Sequence, residues 1–456
     1  MTIQARLKIM SFLQFFIWGS WLITLGSYMI KTLAFSGTQV GNIYSMQGIA
    51  ACIMPLLLGI IADKYIAANR LYALCHLSGG VILLIMAQIT NAETMIWVML
   101  LNLMAYMPSL GLANAIAHFC LKQKQLDTAV HFPSIRVFGT IGFIAAMWII
   151  SLSGNELSPV QLYIAAAASF CLALYSLTLP SQPAAAAQVR GGLDRPACGG
   201  APRQRGGLEA LTCGGALQQK GDSGRPAATE NWAHRLGLEA LVLLKQPRLA
   251  VFFAFAMLLG VVLHITNTFG NPFLHDLAAR PEAAGNVLLR YPDILYSLSQ
   301  ISEIAFILTI PFFLKKFGIK IVMAVSVSAW ILRFVFFAFG GASSFGMSLL
   351  VLSMLVYGCA FDFFSISGSI FIEKVVDSSM RSGAQGLFMT AVNGFGTFIG
   401  MYLGGRIIDY FTDETGRNWQ AVWLVFAAYS AVLLVLFLVI FRAKEPAAAA
   451  TGPHNV

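Results

Sequence analysis

Two carboxylic acids stand where a carboxylate is hardest to keep. Glu303 lies in SQISEIAFILT (299–309) and Asp362 in YGCAFDFFSISGS (357–369), both deep inside apolar stretches. An ionisable group at such a depth needs a partner or an aqueous cavity, so its chemistry is proton binding and release, or acceptance of hydrogen bonds from hydroxyls. Gln300 precedes Glu303 by one helical turn and shares its face. Asp362 has Phe361, Phe363 and Phe364 beside it, with Tyr357 one turn before Phe361. An acid among aromatics suits a ligand with a flat ring and a hydroxylated part: the ring stacks, and carboxylate and amide groups take the hydroxyls. Two more segments carry polar groups at helical spacing. Arg136, Thr140 and Phe143 fall at i, i+4 and i+7, and His264 and Asn267 at i and i+3. Snorkelling remains open for Arg136, and a purely structural hydrogen bond for His264. Gln14, Trp18 and Trp21 share helical spacing near the N-terminus and suit either closure of a cavity or interfacial packing. Arg333 reads as a structural partner or a snorkelling side chain rather than a ligand contact.

Positioning these residues takes membrane-spanning helices. The 456 residues are 58% hydrophobic and 11% charged, where a soluble domain carries roughly 25% charged residues. That excludes an ordinary soluble enzyme, and the 34 Phe, 13 Tyr and 8 Trp exclude disorder. Hydropathy predicts twelve spans, near 7–31, 38–62, 70–90, 93–120, 131–153, 159–180, 247–272, 286–314, 319–340, 345–373, 381–409 and 419–442. The expected fold class is therefore an all-α membrane protein with two six-helix bundles, 1–180 and 247–442, a linker over 181–246 and a tail over 443–456. With both termini cytoplasmic, Arg6, Lys8, Lys64, Arg70, Lys122, Lys124, Lys315, Lys316, Lys320, Lys374, Arg381, Arg442 and Lys444 all lie inside, and the outer loops keep only Lys31, Arg280, Arg290 and Arg417. The net charge of +9 is this positive-inside signal rather than a mark of nucleic-acid binding.

Other chemistries lack their motifs. The seven cysteines are scattered singly, with no Cys/His spacing for a metal or redox pair, and no P-loop, HExxH or dinucleotide fingerprint occurs. The linker holds a tandem 15-residue repeat, RGGLDRPACGGAPRQ (190–204) and RGGLEALTCGGALQQ (205–219). Two Gly-rich copies cannot bury a core, so the linker reads as a flexible tether, amphipathic enough for a surface helix only from about Trp232.

The loop GIIADKYIAANR (59–70) resembles the cytoplasmic signature of the major facilitator superfamily, which implies that Asp63 and Lys64 belong to an inner gate. The stretches LKIMSFLQFFIWGSWLITLGSYM (7–29), FPSIRVFGTIGFIAAMW (132–148), ITNTFGNPFLHD (265–276), SQISEIAFILTIPFFLKKFGIK (299–320) and VYGCAFDFF (356–364) are similar to the bacterial nucleoside:proton symporters of that superfamily, nearest the xanthosine permease branch. The resemblance implies import of nucleosides with protons by alternating access, in the bacterial inner membrane, by a monomer that needs no cofactor beyond the proton gradient. It carries the substrate pocket onto Arg136, Thr140, Phe143, Asn267, Gln300, Glu303, Tyr357, Phe361 and Asp362, with proton coupling at Asp362 or Glu303. Two positions depart from the pattern: His264 stands where an amide is expected, and Ser365 where Asn is. His264 is kept as a candidate that sets base choice. A drug or sugar transporter of the same fold and a non-transporting sensor are the alternatives. Because the repeat has no core to contribute, deletion of 190–219 is expected to leave transport intact; lost uptake at normal expression and membrane insertion would show that the repeat is functional.

Overall fold

The computed structural model describes residues 1–64, 67–180, 238–378 and 380–441. The side chains of Asp63 and Lys64, the tandem repeat and the tail from 443 lie outside the described residues. Before the linker run α1 (Ile3–Gly19), α2 (Leu25–Lys31), α3 (Gly37–Lys64), α4 (Ala68–Met86), α5 (Ala92–Gln123), α6 (Thr128–Leu152) and α7 (Val160–Ser176). After it, a 3-10 turn (Leu238–Lys245) leads into α8 (Pro247–Ala278), α9 (Pro292–Phe339), α10 (Ser344–Val375), α11 (Arg381–Met389), a π-helical turn (Thr390–Gly396), α12 (Thr397–Tyr410) and α13 (Trp419–Ile440). A two-stranded ribbon pairs Thr412–Asp413 with Gly416–Arg417. Eight helices among the described residues are long and apolar enough to cross a membrane, and large side chains such as Leu308, Phe345 and Val439 point outward, as lipid-facing residues do.

Start signals account for several boundaries. Pro247 and Pro292 open their helices at the first position, where a missing N–H costs nothing. Asn91 caps α5 by accepting from the Glu93 and Thr94 amides, and Asn418 caps α13 through Ala421. The eighth apolar segment accordingly starts at Pro292 rather than near 286. The seventh runs on to Ala278 and puts His275 on the helix.

Two irregularities, the break after Gly19 and the π-helical turn, were not visible in hydropathy. The first apolar segment breaks between Gly19 and Leu25. There the Ser20 and Thr24 hydroxyls donate back to the carbonyls of Phe16 and Ser20, a competition that bends helices, and the Tyr44 hydroxyl donates to the Leu22 carbonyl. α9, by contrast, breaks where the spans 286–314 and 319–340 were expected to part, at Gly318, whose φ of 75° is open to glycine. The π-helical turn interrupts the eleventh segment.

Before the linker, α1 packs on α6 and α4 on α5 and α7; after it, α9 packs on α10 and α13. The two halves meet where α3 lies against α12, α6 against α9 and α2 against α8. The crossing of α1 with α6 decides where Arg136, Thr140 and Phe143 end up. A Cβ on Gly142 would stand 2.2 Å from the Phe12 carbonyl oxygen, and one on Gly19 would stand 2.5 Å from that of Phe143. The two backbones touch, as small residues allow in membrane helices. Gly142→Ala is expected to separate them, at a cost of about 1–3 kcal/mol. Thermal unfolding in detergent checks this, and an unchanged midpoint would refute the contact.

Candidate functional site

A cavity of about 190 Å³ lies between the halves at mid-height. α1 and the break after it contribute Phe15, Trp18, Leu22 and Ile23; α6 contributes Arg136, Thr140 and Phe143. α8 contributes Asn267, α9 contributes Gln300 and Glu303, and α10 contributes Tyr357 and Phe361. Each half thus brings both kinds of group: rings and the Arg136 guanidinium from the first, and amides, the Glu303 carboxyl and two further rings from the second. Tyr357 and Phe361 lie with ring planes 13° apart and centroids at 6.1 Å. The Tyr357 hydroxyl lies 3.5 Å from Asn267 Oδ1, and Arg136 is within electrostatic reach of Glu303. The indole N–H of Trp18 is buried without a hydrogen-bond partner among the described residues. It is a donor available to a ligand.

Behind the cavity wall lie two further candidates. Asp362 is buried, within electrostatic reach of Glu303 and Arg136, and its Oδ2 has no partner among the described residues. It is absent from the cavity lining and stands next to Phe361. His264 also lies off the lining: its Nδ1 is 2.9 Å from the Gly260 carbonyl oxygen and its Nε2 is 3.0 Å from the Thr397 hydroxyl. Thr397 in turn donates to the Asn393 carbonyl in the π-helical turn. Arg333 is fully buried and boxed by aromatic rings, with its guanidinium carbon 4.6 Å from the Tyr357 centroid and 5.0 Å from that of Phe337. It donates to the Ser353 carbonyl at 2.8 Å and to the Tyr296 hydroxyl at 3.2 Å. This is the structural role expected of it, and through Tyr357 it also holds the cavity wall.

The two ends of the bundle differ. Toward the end that carries residue 180 and the start of α8, here the linker end, a second cavity of about 530 Å³ shares Phe15, Trp18, Arg136 and Phe361 with the first and continues past Ala117, Phe132, Gly386 and Asn393. The far end is closed by contacts between the halves. Ser27 pairs with Asn271, and Lys31 with Asp276. Asp409 accepts from the amides of Gly37 and Thr38 at 2.6 and 2.8 Å, and the Trp148 indole donates to Ser297 at 2.8 Å.

The structure therefore gathers Arg136, Thr140, Phe143, Asn267, Gln300, Glu303, Tyr357 and Phe361 around one space and leaves Asp362 and His264 just behind it. Trp18 joins the lining. Gln14 joins the larger cavity but is tied to Ser109, Tyr72 and His76. Trp21 is buried elsewhere. Phe15, Leu22 and Ile23 escaped the sequence reading; Phe15, Trp18 and Leu22 fall at i, i+3 and i+7, a pattern shared with every packing face.

Two helical halves around a cavity of mixed aromatic and polar lining, closed at one end and continuous with a larger space toward the other, define a membrane transporter. Comparison with known proteins specifies which. The model of the nucleoside H+ symporter family matches residues 1–195 and 221–446, and the chain belongs to that family. The xanthosine permease of Escherichia coli (strain K12) is 53% identical over 97% of this chain and 96% of its own length. The nucleoside permease NupG of the same strain is 48% identical over 98% of this chain and 97% of its own. These relatives are permeases, transporters rather than enzymes. A crystal structure of nucleoside transporter NupG, 48% identical, matches with a TM-score of 0.83 over 97% of this chain and all of that one. A POT family transporter, 12% identical, matches with a TM-score of 0.66 over 96% of this chain and 95% of its own, and shares the fold.

Proposed function

We propose that this protein imports nucleosides together with protons, xanthosine among them, by alternating access. The reading takes twelve membrane crossings with both termini, the linker and the linker end on the cytoplasmic side of a bacterial inner membrane, and a monomer as the working unit. On this topology the larger cavity faces the cytoplasm, so the conformation is inward-facing. Asp63 and Lys64 belong to the cytoplasmic gate. The cation of transport is the proton, and no cofactor takes part.

The observation that carries the reading is that one cavity between the halves is lined both by aromatic rings and by amide, carboxyl, hydroxyl and guanidinium groups. Phe143 and Phe361 offer faces to a nucleobase. Gln300 and Glu303 are placed to take ribose hydroxyls, and Arg136, Thr140, Asn267 and the Trp18 N–H supply further polar contacts. His264, one turn from Asn267, bears on base choice from behind the wall. A drug transporter would need fewer amides here and more bare aromatic surface. Xanthosine enters through the 53% identity to the xanthosine permease.

Coupling needs a carboxyl group that binds its proton on one side and releases it on the other, with substrate biasing the step. Asp362 fits better than Glu303. It is buried, one of its oxygens is unpartnered, and it borders Phe361, so substrate in the cavity alters its surroundings without touching it. Glu303 lies on the wall itself. Asp362→Asn is therefore expected to abolish accumulation driven by a pH gradient while nucleoside still binds. Glu303→Gln is expected to weaken binding by about 1.5–3 kcal/mol, or roughly ten- to a hundred-fold. Calorimetric binding and uptake of labelled nucleosides into proteoliposomes, with and without an imposed gradient, test all three statements. Accumulation by the Asp362→Asn variant would move the proton site elsewhere, and failure of every nucleoside to accumulate in the parent would falsify the transport reading.

A further inference from the structure

The closed far end contains a group of buried acids that nucleoside binding leaves unused. Glu156, in the loop before α7, faces Asp293, in the first turn of α9, within hydrogen-bonding reach across the boundary between the halves. Glu156 is 6% exposed and Asp293 is fully buried. Their four oxygens divide evenly. Glu156 Oε2 lies 2.8 Å from His275 Nε2, and Asp293 Oδ1 accepts from the Asn271 amide, which also meets Ser27 of the other half. Glu156 Oε1 and Asp293 Oδ2 have no donor among the described residues. One buried acceptor is left over on each acid, on two acids that face each other. Two ionised carboxylates in such a dry contact repel, and a single shared proton satisfies both oxygens at once.

We propose that Glu156 and Asp293 form a second proton-binding site, which latches the far end of the transporter shut when it is occupied. Of the other charges at this end, Lys31 and Arg417 both contact Asp276, and Arg290 lines the same cavity as His275. His275 meets the pair through Glu156. It also lines an open cavity of about 440 Å³ at this end, which gives water, and hence protons, a route to the pair. The proton arrives from that water and bridges the two carboxyls as the halves close. Its loss leaves two anions face to face and drives the halves apart. On the topology proposed above, the outward-open protein closes more readily after taking a proton from outside, which is the order that inward symport requires.

The inference rests on the movement of the halves in that proposal, and its test does not need a nucleoside. Ser153→Cys and Val287→Cys lie on exposed positions of opposite halves at this end. They would carry spin labels in a full-length background whose native cysteines are replaced, reconstituted in lipid. Pulsed electron resonance should show a short distance in acid buffer and a longer population in mildly alkaline buffer. Glu156→Gln and Asp293→Asn, two isosteric variants, should each stay short throughout, because the carboxamide supplies the missing donor. His275→Gln should keep the shift. An unshifted parent, carboxamide variants that still respond, or a shift lost only in His275→Gln would each overturn the proton site. Uptake by the same labelled protein separates the two readings: uptake without a distance change leaves transport standing and removes this site, and the reverse result does the opposite.

Discussion

Closure of the far end depends on how near α3 can come to α12. A Cβ on Gly41 would stand 2.3 Å from the Met401 carbonyl oxygen, and one on Gly405 would stand 2.2 Å from that of Gly37. No larger residue fits at either place without moving a backbone. Lipid gives helices no hydrophobic reason to associate, so close contact and satisfied polar groups decide whether they do. Asp409 supplies the polar part, because its carboxylate accepts from the first amides of α3 and lies at the positive end of that helix. A seam of backbone against backbone, unlike interlocked side chains, can part and re-form without rotamer changes. The mobile boundary of a transporter needs that property.

Most polar side chains inside the bundle are used up as internal connections. Gln14 is held by Ser109, Tyr72 and His76, and His76 by Ser169. Arg333, a cation with no carboxylate against it among the described contacts, is held by carbonyl, hydroxyls and ring faces. A buried polar atom left without a hydrogen bond costs on the order of 1–3 kcal/mol, and several occur, Arg333 Nε among them. Trp18 Nε1 and Asp362 Oδ2 are two such atoms, and they lie on and just behind the wall of the central cavity. At these two a ligand or a proton can supply the missing partner.

The helices and much of the site were legible because both have periodicities that a sequence displays. Runs of apolar residues marked the helical segments to within a few positions, and Arg136, Thr140 and Phe143 declared a face by their spacing. Gln300 and Glu303 did so by being polar where polarity is costly. The break after Gly19 was hidden, because Ser20 and Thr24 read as ordinary small residues until their hydroxyls are seen turned back on the helix. Phe15 and Leu22 were hidden for the opposite reason: any packed helix has such a stripe. Asp362 and His264 were legible as unusual residues, yet their position behind the wall depends on helix rotation, which a few residues of spacing do not determine. Glu156 and Asp293 lie at loop and helix ends, where charge is unremarkable. Only the meeting of distant segments makes them a buried pair.

The central cavity and the far end therefore pose different physical problems. In the cavity a carboxyl must discriminate between an occupied and an empty space, so it lies near the ligand and shares its surroundings with Phe361. At the far end a contact must discriminate between open and closed, so its groups are divided between the halves: Glu156 and Ser27 on one side, Asp293, Asn271 and His275 on the other. The central acids also have a charge of the other half, Arg136, within reach, but there the ligand intervenes between the halves. A charge pair split between them changes its environment completely on opening. Tight coupling of substrate to proton asks that both events depend on protonation, because a gate indifferent to the proton would let nucleoside pass without it. Placing acids at the ligand and at the seam meets that requirement with two local interactions, and no chain of residues has to connect them.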